Sequence, residues 1–124
     1  MAGYKDRVVT LEFDPDEDGG RVYVALRNPR KVPVTELQVR PVARDETGNA
    51  LDPFDEAAAA FEVYAKLIVG WRVYDATSIA EDQPLLDSPA TAELVAKLPI
   101  DIQERLSEEV WTRKNPTKTP TTGS

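Results

Sequence analysis

With 124 residues, 41% of them apolar, the chain is long enough to bury one core without staples. It contains neither cysteine nor histidine, which excludes disulfides, thiolate nucleophiles, sulfur-ligated zinc and the usual general base at neutral pH. Lys and Arg number 15 against 22 Asp and Glu, and this net charge of −7 argues against unspecific binding to nucleic acid or anionic membrane.

The first residues, MAGYKDRVV, lack a signal-peptide core, and no apolar run reaches membrane-spanning length, so a soluble cytoplasmic chain is expected. Residues 7–13 (RVVTLEF) and 21–27 (RVYVALR) read as half-buried strands. Val9, Leu11 and Phe13 form one face of the first, and Val22, Val24 and Leu26 one face of the second. The DPDEDGG turn between them predicts a β-hairpin. The two prolines of NPRKVP break regular structure, and ELQVRPV reads as a short third strand held to an edge by Pro41.

A long helix is predicted from Asp52 as N-cap and Pro53 as first helical residue to a stop near Gly70. Its inward face is expected to be Phe54, Ala57, Ala58, Phe61, Tyr64, Ala65 and Ile68, with Glu62 and Lys66 paired outside. Ser88 and Pro89 open a second, short helix carrying Leu94, Val95 and Leu98, which Pro99 ends. Asp101 caps a third, with Ile102, Leu106 and Val110 inward and Glu104, Glu108 and Glu109 outward. The expected fold class is α+β: an N-terminal β-hairpin or small antiparallel sheet, then one long and two short helices.

Residues 112–124, TRKNPTKTPTTGS, hold three cations, no carboxylate and no large apolar side chain. They read as a disordered tail on a single acidic domain spanning 1–111. Without those three cations the body has 12 against 22 carboxylates, a net −10.

The chemical inventory is thin. Asp14, Asp16, Asp18 and Gly19 match the first half of an EF-hand loop, but position 12 is Ala25 and the flanks are strands, so the turn reads as a solvated acidic loop. No carboxylate lies in an apolar run that would raise its pKa for glycoside chemistry. Asp75, after GWRVY, reads as a strand end or a turn cap. No Ser or Thr has a GxSxG context, and no phosphate-loop pattern occurs. The sequence therefore predicts no enzyme, catalytic residue, cofactor or metal. RNPRK is too short to bind nucleic acid and reads as a solvated loop or a partner for the acidic turn. The aromatics Trp71, Tyr74 and Trp111 are either core or partner contacts, with Trp111 off the Ile102/Leu106/Val110 stripe.

The stretch GWRVYDATSIAEDQPLLDSPATAELVAKLPIDIQERLSEEV resembles the tail assembly chaperones of long-tailed bacteriophages, particularly those of actinobacteria. The features shared are a tryptophan after a helix (Trp71), a polar loop with a proline, a P-x-T-x-E-x-apolar-x-x-LP helix from Pro89 to Pro99, and a closing amphipathic helix. The segment RNPRKVPVTEL also looks like the family's link between strands and helices. The resemblance implies a transient binding protein of the host cytoplasm. It would coat the tape measure protein and recruit tail tube subunits during tail assembly, with a homo-oligomer as a further option. It implies no catalytic residue, and partner contact at Trp71, Tyr74 and Trp111. The alternative is a structural head–tail connector or tail completion protein that remains in the virion.

Overall fold

The computed structural model describes residues 2–112, and the tail expected to be disordered lies beyond them from residue 113 on. The fold is α+β. Strands β1 (Val8–Phe13), β2 (Val22–Arg27) and β3 (Ile68–Arg72) form an antiparallel sheet in the order β1-β2-β3. Helices are α1 (Pro53–Leu67), α2 (Ala92–Val95) and α3 (Ile100–Ser107), the last running into a π-helical turn at Glu108–Thr112.

The hairpin follows from alternation. Leu11 is buried, Val9 and Phe13 are half-buried, and Val22, Val24 and Leu26 complete the same sheet face. The helices pack on that side in one hydrophobic cluster that includes Val63, Leu67, Val95, Ile102 and Leu106. Thr10, Ala25 and Gly70 lie side by side on the opposite face, and a Cβ added at Gly70 would meet nothing within 4 Å. That face is open.

The third strand is not ELQVRPV. Val34–Leu37 is a 3-10 turn, and the sheet is completed by Ile68–Arg72 directly after α1. Pro41 lies inside the predicted segment and withholds a ladder donor, and Pro33 precedes the 3-10 turn that takes up its start, whereas IVGWR is free to pair. The stop near Gly70 moves accordingly: α1 ends at Leu67, and Ile68 turns extended (φ −69°, ψ 124°).

Asp52 caps α1 as expected, accepting from the Phe54 N–H at 2.9 Å. The buried arc is rotated from the predicted one. Ala59, Val63, Tyr64 and Leu67 are buried, while Phe54 is 84% exposed. The alanine run makes α1 apolar over a wide arc, so periodicity alone does not select the face; Val63 and Leu67 do. Glu62 pairs with Arg40 (2.8 Å) rather than Lys66, and Arg40 also holds Asp55 (2.9 Å). These two carboxylates hold the Arg40 guanidinium above its ordinary pKa and pin the preceding loop to α1.

Thr91, not Ser88, caps α2, its hydroxyl accepting from the Leu94 N–H at 3.2 Å. The third helix begins two residues earlier than expected, with Pro99 as N-cap instead of Asp101. Glu109, expected outside, is buried at 1% exposure, with Oε1 accepting from Arg105 Nη1 at 2.8 Å. The wider π turn from Glu108 rotates it inward.

Leu67→Ala should therefore lower unfolding free energy by about 2–5 kcal/mol, whereas Phe54→Ala should change it by less than about 0.5 kcal/mol. Urea unfolding of the two variants checks the assigned arc, and a larger loss for Phe54→Ala would reverse it.

Candidate partner-binding site

The three aromatic candidates occupy different surroundings. Trp71 lies in β3 opposite Val24 and is 7% exposed, and its indole Nε1 donates to the Asp87 carbonyl at 2.9 Å. Its ring belongs to the core. The sheet positions it there because β3 follows α1 without a connecting residue.

Tyr74, two residues beyond β3, is half-buried, and its hydroxyl donates to Asp16 Oδ2 at 2.5 Å. Asp16 thus ties the β1–β2 turn to the end of β3. Its Oδ1 accepts from the backbone N–H groups of Asp18 (3.0 Å) and Gly20 (2.7 Å), and its Oδ2 also receives Arg72 Nη1 at 3.2 Å. Arg72 donates onward to the Arg21 carbonyl at 2.5 Å. The acidic turn is therefore not simply solvated, because its central carboxylate has donors on both oxygens. Its cationic partner is Arg72 rather than RNPRK. Gly20 allows this close packing: a Cβ there would lie 2.6 Å from Asp16 Oδ2 and 2.8 Å from Arg72 Nη1.

The Tyr74 hydroxyl, first among the causes, holds the Asp16 carboxyl at about 2, against its ordinary 3.8. The Gly20 N–H, Arg72 and the Asp18 N–H add to this, and partial burial opposes it. The same bond to Asp16 raises the Tyr74 phenol above its ordinary range. Beside this lock lies a cleft of about 630 Å³ whose walls carry Glu17 and Asp18 on one side and Glu81 and Asp82 on the other. Its chemistry is that of a cation-attracting surface. No group of three His, Cys, Asp or Glu side chains among the described residues is placed to hold a metal ion. Asp75 caps a turn, accepting from the Thr77 N–H at 2.8 Å.

Trp111 sits in the π turn and is half-buried, and its Nε1 donates to the Tyr64 hydroxyl at 3.0 Å. Tyr64 stands between two rings, Phe61 and Trp111, each with its centroid 6.3 Å away. Tyr64 is buried and the flanking rings are half-exposed, so an aromatic row runs from α1 onto the C-terminal turn. The three side chains bond in different places, Trp71 to Asp87, Tyr74 to Asp16 and Trp111 to Tyr64. Phe61, expected on the inward face, is half-buried against the core and faces Tyr64.

The sequence did not single out Asp16 with Arg72, 56 residues apart, or the Phe61–Tyr64–Trp111 row. Asp-x-Asp-x-x-Gly-Gly local bonding was a signal for the turn, but nothing local names a partner that distant.

No protein-family model, curated protein or solved structure matches the chain. Among the described residues, no helix is long and apolar enough to cross a membrane.

A carboxyl whose folded pKa is depressed stabilises the fold fully above its unfolded value and loses that contribution as pH falls toward the folded one. Between about pH 4 and pH 2, the unfolding midpoint of the native chain should fall more steeply than that of Asp16→Asn. Gly20→Ala should shallow the same slope while β1 and β2 remain paired. Identical slopes in all three proteins would show that the Asp16 lock does not form.

Proposed function

We propose that the chain is a phage tail assembly chaperone, a transient holder of the tape measure protein and of tail tube subunits in the host cytoplasm. The observation that carries this reading is the aromatic row of Phe61, Tyr64 and Trp111 at the surface of an acidic body. A long amphipathic helical chain must stay soluble until a tube encloses it. A holder suited to that task offers an apolar strip for the helix and an exterior charge that keeps loaded complexes apart. Phe61 and Trp111 offer half-exposed rings on adjacent elements, and residues 1–111 carry a net −10. A tryptophan, Trp71, in the strand that follows a long helix, the proline-bearing loop and the closing amphipathic helix support the same family resemblance.

Of the three aromatics, Trp111 is the contact this reading favours. Trp71 and Tyr74 act behind the surface, the first by filling the core and the second by holding the acidic turn. The structural head–tail connector remains the second reading, favoured by the uncovered edge of β1. Mass analysis of purified particles separates them, since a chaperone leaves the finished particle and a connector stays.

Co-expression is expected to keep the cognate tape measure protein soluble and to co-purify it. Trp111→Ala should reduce the captured amount several-fold while far-ultraviolet circular dichroism stays unchanged. A tape measure protein equally insoluble with and without this chain overturns the reading.

A further inference from the structure

Among the described residues, no strand pairs with the outer edge of β1. The Asn28 N–H donates to the Arg7 carbonyl at 2.8 Å, and the β1–β2 register places those two residues opposite each other. Antiparallel ladders bond through alternate residues, so β1 turns Val9, Leu11 and Phe13 toward β2. The N–H and C=O groups of Val8, Thr10 and Glu12 point away from the sheet, and among the described residues no backbone hydrogen bond reaches them. The far edge differs. Past β3 the Val73 carbonyl accepts from the Leu86 N–H at 2.9 Å, Tyr74 bridges Leu85, and the Trp71 indole reaches the Asp87 carbonyl.

Exposed edges of soluble proteins are usually blunted by lysine, proline, a bulge or an inward charge. VVTLEF has none of these. Its one charge, Glu12, is already paired with Arg21. The edge is therefore competent to add a strand.

We propose that β1 pairs with β1 of a second copy, antiparallel and centred on Thr10, so that the two sheets become one. The strand is self-complementary in this register. Thr10 faces Thr10, and Val8 faces Glu12, so no like charges meet within the strand. On the core side Val9 comes beside Leu11 of the second copy, extending apolar cover over a half-buried residue. The outward groups of Val8, Thr10 and Glu12 then make about six inter-chain hydrogen bonds. The pairing ends where the strand does: Asp6 has a positive φ of 57°, and Pro15 follows at the other end. A two-fold β1–β1 pairing uses this same edge of both copies, so it closes at the dimer instead of growing into a fibre. An interface of a single strand pair buries less than the roughly 1,200 Å² of stable complexes, so the dimer is a weak, concentration-dependent one. It does not depend on which partner the aromatic row takes.

A heterologous strand would not place residue 10 against itself, and this gives the test. Thr10 is exposed on the open sheet face, so Thr10→Lys and Thr10→Glu should keep the native thermal midpoint. Sedimentation equilibrium across rising concentration should show the native chain approaching dimer mass. Each variant alone should dissociate roughly fivefold more readily, as like charges face across the two-fold axis. An equimolar mixture of the two should dimerise at least as well as the native chain. A native chain that stays monomeric throughout, a Thr10→Lys variant that dimerises undiminished, a mixture that stays monomeric, or growth beyond the dimer each overturns the proposal.

Discussion

The direct passage from α1 into β3 is the constraint on which the rest of the molecule depends. Leu67 is the last helical residue and Ile68 the first of the strand, with no loop to absorb a change in direction. A helix so joined must lie against the sheet to which its own strand belongs. Leu67 at 0% exposure and Trp71 at 7% anchor the two sides of that joint. The strand docks on β2 rather than on β1, so β2 becomes the centre of the sheet and β1 is left at its edge. All the helices then gather on the face that α1 covers. The consequences are an open sheet face, an unpaired β1 edge, and a helical side ending in half-exposed aromatics.

Electrostatics reinforce the joint instead of opposing it. A body with so many carboxylates repels itself, and several are neutralised at places where segments meet. Arg72 and Tyr74, just past the joint, take Asp16 from the hairpin turn, while Arg40 and Arg44 bring the long loop onto Asp55, Glu62 and Glu56 of α1. Exposed pairs of the second kind contribute little singly. Their value is in limiting where the loop can lie. Glu17, Asp18, Glu81 and Asp82 line their cleft together and add to the outward negative field.

The fold class was legible from strand alternation, the dense hairpin turn, the Asp52–Pro53 cap and the apolar steps of α3. Those are local signals, set by neighbours in sequence. Three misreadings share the opposite cause. ELQVRPV has strand-like composition, but IVGWR won the place beside β2 because its backbone donors are intact. The face of α1 was ambiguous because alanines extend its apolar arc, and the distant α2, which packs on it, helps decide which side is buried. Glu109 turns inward because a π turn breaks the 3.6-residue period, and no residue before it announces that change. The candidate site was legible as a set of aromatics but not as a geometry, since Trp71 entered the core and Trp111 found Tyr64, 47 residues away.

The central claim is that the row of Phe61, Tyr64 and Trp111 receives the tape measure protein. Hydroxyl-radical footprinting of the co-purified complex against the free chain tests it most directly, because aromatic side chains report their own solvent access. Phe61 and Trp111 should lose reactivity on binding, while Tyr4, 74% exposed with its ring under Lys31, should keep its own. Unchanged reactivity at Phe61 and Trp111, with protection falling elsewhere, would contradict the account.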